Sequence, residues 1–421
     1  MMKMEKGPLA SRQFRWFYMG HTVSLFGSSM TPVALAFAVL QVHQGQHLLG
    51  NILAAQILPS ILMLLIGGSI ADRYHRDRLI LLSNFVSGSA QTGIAIVVII
   101  GANPYWLFPL AILNGVLEAF TSPAMRGIIP EIVDSQDIKQ ANAFLGTSRS
   151  AAKIVGPILS GIFAAILGGG WGIAIDAASF FIACACMIPV HIPSRSIVTK
   201  DQSLLQQMRE GWGYFKCHRW LWSITCAFAL MNPVQMGAWQ VLGPIIAKYS
   251  FGSAGWGLTL SMRAVGLLIA SLVMFRIQLR RPLLGTMLAT SLAGIPMIIL
   301  GQGFPLTILI FFTIVAGIGS SISGMTWDTS LQQAIPEKML SRVCAFDDFG
   351  SFVTISMGEI LAVPLAQKFS YPSVATVGGG VFIIAALLPL LVGRVRRMTP
   401  EDLPIHKLEG IQLLQNKRNQ C

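Results

Sequence analysis

Gly68-Ser69-Ile70-Ala71-Asp72-Arg73-Tyr74-His75-Arg76-Asp77-Arg78 is a knot of charge set between two apolar runs. Residues 48 to 71, running into it, and 79 to 101, running out of it, are almost wholly apolar. Each is long enough to cross the hydrocarbon of a bilayer at about 1.5 Å per helical residue. The charges therefore belong at a membrane face, and the stretch reads as a cytoplasmic hinge between two spanning helices.

The rest of the chain repeats this pattern. Of its 421 residues 53% are hydrophobic and only 11% charged, with mean hydropathy +0.64, where soluble domains carry roughly 25% charge. Apolar runs of spanning length fall near 15–42, 48–71, 79–101, 104–124, 138–167, 171–190, 219–247, 255–276, 283–300, 305–328, 341–367 and 372–393. The expected fold is thus all-α and polytopic, with twelve transmembrane helices.

A net charge of +12 would fit nucleic acid or acidic lipid, so its placement matters more than its size. With a cytoplasmic N-terminus, all but five of the 30 Lys and Arg fall on cytoplasmic segments. Lys248 and Lys368 lie outside, and Arg149, Lys153 and Arg263 lie within helices. Positive-inside bias accounts for the basic balance without nucleic acid, and puts both termini of a multi-pass membrane protein in the cytoplasm. The basic tail, with Arg394, Arg396, Arg397, Lys407, Lys417 and Arg418, suits an anionic lipid surface. None of the cysteines, at 184, 186, 217, 226, 344 and 421, lies in an expected outer loop, which argues against a disulfide framework. The basic start and first apolar run are too long and too polar, with His21, Ser24 and Ser28, for a cleaved signal peptide.

Residues 191–218 break the hydropathy and separate six spans from six. The organisation expected is a six-helix bundle over 1–190, a cytoplasmic linker over 191–218, a second bundle over 219–394 and a basic tail over 395–421. Leu204, Leu205, Met208, Trp212 and Phe215 recur at helical spacing, giving the linker either an amphipathic helix on the membrane surface or a solvated one. Pro130-Glu131 and Pro336-Glu337 are 206 residues apart, while Pro157 with Pro364 and Arg73 with Arg280 are 207 apart. A duplicated six-helix unit explains the near-constant offset.

The spacing of Gly68, Asp72, Arg73, Arg76 and Arg78 resembles the loop signature between helices two and three of major facilitator superfamily transporters. The resemblance implies two pseudo-symmetric six-helix bundles with a substrate path between them. It makes Gly68, Asp72, Arg73 and Arg76 an inner gate latch, answered by Asp347. His75 and Asp77 stand where that signature has a glycine and a basic residue. Ser122-Pro123-Ala124-Met125-Arg126, Pro130-Glu131, Ala141-Asn142-Ala143-Phe144 and, in the second half, Trp327-Asp328-Thr329-Ser330 and Ser341-Arg342-Val343 are similar to the branch containing macrolide efflux pumps and enterobactin exporters. Gly156-Pro157 to Ser160-Gly161 partly resembles the antiporter motif of drug exporters, although small residues with a proline also serve ordinary helix packing.

Charges inside apolar runs cost about 2.5–3.5 kcal/mol each on insertion scales, so they need partners or a wet cavity. Arg149 and Lys153 share a helix face, and Glu118 lies at comparable depth on the neighbouring helix, so a Glu118 contact to Arg149 or Lys153 is expected. Glu118 and then Glu359 are the candidates for proton coupling, with Glu118 structural instead if a cation pairs with it. Asp176 is placed close to the outer surface, where it would be hydrated. Ala111 and Ser28 occupy positions where many proton-coupled relatives carry an arginine and an acid.

By resemblance, helices one, four, seven and ten line the cavity. His21, Ser28, Asn114, Asn232, Gln235 and Trp239 are its candidates, in company with Met236, a set suited to a bulky amphipathic ligand. Such residues also commonly join helices. No GxxxxGK[ST] loop, CxxC pair or convergent nucleophile set occurs, which argues against ATP drive, metal, cofactor and enzymatic chemistry. The reading is a monomeric secondary exporter, exchanging protons for a small organic compound, macrolide-like or a secreted metabolite. The alternatives are a dedicated siderophore or biosynthetic-metabolite exporter and a non-transporting membrane sensor.

Overall fold

A computed structural model describes residues 7–42, 44–71, 75–134, 137–191, 212–274 and 279–399, and these contain no β-strand. Helices are the form in which a membrane segment satisfies its own N–H and C=O groups without water. The first six are α1 (Arg12–Val39), α2 (Gly45–Ala71), α3 (Arg76–Ile100), α4 (Leu107–Ile132), α5 (Ile138–Ile166) and α6 (Gly169–Met187). A helical piece at 212–217, α7, precedes α8 (Arg219–Val234), a π-helical stretch Gln235–Val241, α9 (Leu242–Ser250) and α10 (Gly252–Met274). Then come α11 (Pro282–Ser291), α12 (Ile295–Gly301), α13 (Leu306–Ala334), α14 (Glu337–Phe352), α15 (Ile355–Phe369) and α16 (Tyr371–Leu387).

Nine helical segments among the described residues are long and apolar enough to cross a membrane. The 27-residue α2, the 26-residue α4 and the run from α8 through α9 complete twelve. Three spans expected to be continuous are broken. Seven residues of π-helix interrupt the run from 219 to 250, and a 3-10 turn at Leu292–Gly294 separates α11 from α12. The third break parts α14 from α15 at Val353 and Thr354, where the Thr354 hydroxyl donates to the carbonyl of Ala229 at 2.6 Å. Hydropathy registers none of these breaks, because each is short and the run around it stays apolar.

Two compact units emerge from the contacts. One comprises Met1–Val198 with Gln240–Ala264 and Glu359–Pro364; the other comprises Thr199–Trp239, Val265–Gly358 and Leu365–Cys421. In the first, α1 packs on α5 and α6, and α3 on α4 and α6. In the second, α8 packs on α14 and α16, and α11 and α12 pack on α13 and α16. Shifting each helix by one six-span repeat converts the first set of pairings into the second, as a duplicated architecture requires.

Small residues set the closest approaches in the first unit. Ser11 caps α1, its Oγ accepting from Phe14 N at 3.3 Å, and α1 then runs against α6. A Cβ on Gly169 would collide with the backbone of Ala34 and Ala38. On α5, a Cβ at Gly161 would lie 2.6 Å from the Ser253 carbonyl of α10, and Gly257 of α10 lies against the Pro157 carbonyl. Ser253 Oγ donates to Gly161 O at 3.0 Å across the same seam. The Gly-Pro segment of α5 therefore has a packing partner. Cys184, Cys186, Cys226 and Cys344 are free thiols, while Cys217 is disulfide-bonded, a departure from the sequence expectation.

Gly169→Val is expected to lower stability by about 1–3 kcal/mol, because it pushes a branched side chain into backbone that cannot yield. Gly101→Asn, at a helix end with φ 71° and nothing within 4 Å of a new Cβ, should stay within about 0.5 kcal/mol of wild type. Thermal unfolding of the purified protein in detergent ranks the two, and the reverse order would refute the close α1–α6 approach.

Candidate functional site

Two of the gate residues, Asp72 and Arg73, lie outside the described residues, as do the surroundings of Gly68 at the end of α2. Arg76 opens α3, and its Nη1 sits 2.8 Å from Oε1 of Glu131 near the end of α4, both side chains largely buried. Because α3 begins where α4 ends, the charged loop and the Pro130-Glu131 element meet at one end of the first unit. Sequence reading marked Glu131 as part of a repeat and missed it as the partner of Arg76. The antiparallel course of two neighbouring spans was the signal available.

Asp347, expected to answer Arg73, is 4% exposed within the second unit. Thr225 Oγ1 donates to its Oδ1 at 2.5 Å and Trp327 Nε1 to its Oδ2 at 2.9 Å, so the carboxylate joins α8, α13 and α14. Glu359 on α15 is 1% exposed, and its Oε2 has no hydrogen-bond partner among the described residues.

The position of Asp176 overturns its expected hydration. It is 1% exposed and held among helices of the first unit. Thr31 Oγ1 and Gln91 Nε2 donate to Oδ2 at 2.6 and 2.8 Å, and Ser28 and Ser179 hydroxyls lie 3.4 Å from Oδ1. A residue seven positions into α6 is about 10 Å down the helix, and α1 and α3 pack over it there. Gly27 leaves room for this cluster, since a Cβ there would meet Asp176 Oδ1 at 2.7 Å.

The expected contact of Glu118 with Arg149 or Lys153 is not formed: no ion pair or hydrogen bond joins them among the described residues. All three side chains are exposed. Equal depth on neighbouring helices did not make their faces meet. Lys153 instead stands within Coulombic reach of Arg149 and of Arg263 on α10.

The cavity candidates divide. His21 is half-buried and stacks on Phe17 with ring centroids 5.6 Å apart; Asn114 is half-buried, and Ser28 is exposed beside Asp176. Asn232 donates to Ser351 O at 2.7 Å, the helix-joining role. Gln235 and Trp239 fall in the π-helical stretch and are buried, at 9% and 2% exposure. A π-helical insertion re-aims the side chains that follow it, which a 3.6-residue period read from sequence does not anticipate.

A duplicated bundle of membrane-crossing helices with ionisable side chains held inside it is an architecture that many transporters share. Residues 17–358 match the Major Facilitator Superfamily, and the chain belongs to that family. It is 23% identical over 415 residues to an enterobactin exporter of Citrobacter koseri, covering 93% of this chain and 94% of that one. To the staphyloferrin A transporter of Staphylococcus aureus it is 22% identical over 268 residues, 62% of this chain and 66% of that protein. In fold it is similar to the nucleoside transporter NupG, with TM-score 0.74, 12% identity, and coverage of 90% and 99%. An auto-inhibited peptide transporter of the POT family gives TM-score 0.71, 11% identity, and coverage of 92% and 98%. The chain is thus a multi-pass membrane transporter of a small molecule, not an enzyme.

Asp176→Leu should destabilise the protein by about 1–3 kcal/mol for each donor left unmet at Thr31 and Gln91. Asp176→Leu with Thr31→Val and Gln91→Leu should recover part of that loss, because no buried donor is then orphaned. Denaturation midpoints of the single and triple variants are the measurement.

Proposed function

We propose that the chain is a secondary active exporter of a small secreted metabolite of the siderophore class, working by alternating access and driven by proton exchange. The similarity to enterobactin exporters over more than nine tenths of the chain carries this reading. The staphyloferrin A transporter, named for another siderophore, supports the same cargo class. The macrolide-like cargo implied by the sequence resemblance takes second place, because the two sequence relatives reported above are named for siderophores.

In this reading the loop from Gly68 to Arg78 latches the inner face. Asp72 and Arg73 are its proposed charges, and Arg76 with Glu131 holds the loop to the end of α4. Glu359 is the preferred proton carrier, being a buried carboxyl with an unbonded oxygen in a spanning helix. Glu118 comes second, being exposed and, among the described residues, without a hydrogen bond or ion pair. Both termini are cytoplasmic and the working unit is a monomer in a bacterial plasma membrane.

Expression in siderophore-producing cells that lack their own exporter should restore siderophore to the medium, and a protonophore should abolish the recovery. Asp72→Asn should insert normally and lose flux, and Glu359→Gln should lose gradient-driven flux. Unchanged secretion across a siderophore panel, with increased macrolide efflux, would replace the metabolite by a drug. Gradient-driven flux that survives Glu359→Gln but not Glu118→Gln would move the proton to Glu118.

A further inference from the structure

Arg149 and Lys153 are one turn apart on α5, and both are exposed although they lie midway along a 29-residue helix. From the start of the helix they are about 16 and 22 Å along its axis, too deep for either to rest at a headgroup. An ionised side chain at that depth faces water inside the protein rather than hydrocarbon. Neither is tied down: among the described residues no ion pair or hydrogen bond ends on Arg149 or Lys153. Glu118, the acid available on α4, is not bonded to them.

A third positive charge is brought to the same level by helix packing. Within the first unit α10 runs antiparallel to α5, with Gly161 against Ser253 and Ala254, and Pro157 against Gly257. Four residues back along α5 match four residues forward along α10. Continuing that register one and two turns sets Lys153 and Arg149 beside the turn of α10 that carries Arg263. The electrostatic influence of Arg149 and Arg263 on Lys153 agrees with this placement. From α1, Tyr18 and Thr22 hydrogen-bond Ser148 at 2.7 and 3.4 Å, which lays the turn bearing His21 alongside Arg149.

Arg149 and Lys153, one turn apart on the same face, repel one another where the dielectric is reduced, and an anion bridging the two relieves that repulsion. We propose that Arg149 and Lys153 form the binding site for an anionic cargo, an organic compound carrying two or more carboxylates. The guanidinium of Arg149 offers a planar fork that grips one carboxylate through two N–H groups, and the Lys153 ammonium serves as a point charge for a second. The cargo class rests on the export reading for its biological meaning, but binding is measurable without transport.

The purified full-length protein in detergent is titrated by calorimetry with citrate and tricarballylate, and with the neutral methyl esters of each. At least one acid should bind, its ester at least about ten-fold more weakly, and affinity should fall as salt rises. Arg149→Gln and Lys153→Gln should each weaken the acid about 10- to 100-fold, the range of a lost charge-assisted hydrogen bond, while Arg149→Lys retains part of the affinity. Independently of any ligand, Lys153→Met should leave the melting temperature unchanged or raised, and citrate should stabilise the wild type but not this variant. Equal binding of acids and esters, no binding of any acid, or a Lys153→Met protein that melts as early as a core variant would overturn the proposal. Intact anion binding by a chain that secretes nothing would remove the export reading and uphold the site.

Discussion

Inside hydrocarbon a polar atom has no water to fall back on, and that constraint orders this molecule. Helix formation satisfies the backbone, but each polar side chain within a span must then find a neighbour or a wet path. Asp176 meets the requirement by drawing α1, α3 and α6 onto one carboxylate. Asp347 does the same for α8, α13 and α14. A single acid with donors on two other helices fixes both their rotation and their axial register. Generic apolar contact between helices in lipid lacks that selectivity.

Close approach makes those bonds reachable. Gly27 leaves space for Asp176, and Gly161, Gly257 and Pro157 let α5 and α10 meet at backbone distance. The seam has a consequence farther along both helices, because a register fixed at 161 and 253 determines what stands opposite 149 and 153. Packing at one level thereby selects the electrostatics of another. Carboxylates with their hydrogen bonds filled act as braces, whereas Arg149 and Lys153 have none among the described residues and are open to an incoming charge.

Much of the fold was legible in the residue order. Twelve apolar runs, the charge at their ends and the offset of about 206 residues between repeated elements pointed to a duplicated transporter, and the pairings α1 with α5 and α6, then α8 with α14 and α16, follow that repeat. The breaks within spans were not legible, since π and 3-10 segments at Gln235–Val241 and Leu292–Gly294 leave hydropathy unchanged. Nor was the burial of Asp176, because depth along a helix was read as distance from water, whereas neighbouring helices seal that level.

Local, additive quantities were therefore settled by the sequence alone: which segments enter the membrane, which carry charge, and which elements recur. Only the tertiary structure decided which faces meet. It joined Arg76 to Glu131, separated Glu118 from Arg149 and Lys153, and brought Arg263 within electrostatic reach of Lys153. The physical reason is that side-chain pairing depends on the rotation and crossing of two helices at once. Neither helix carries that information in its own periodicity.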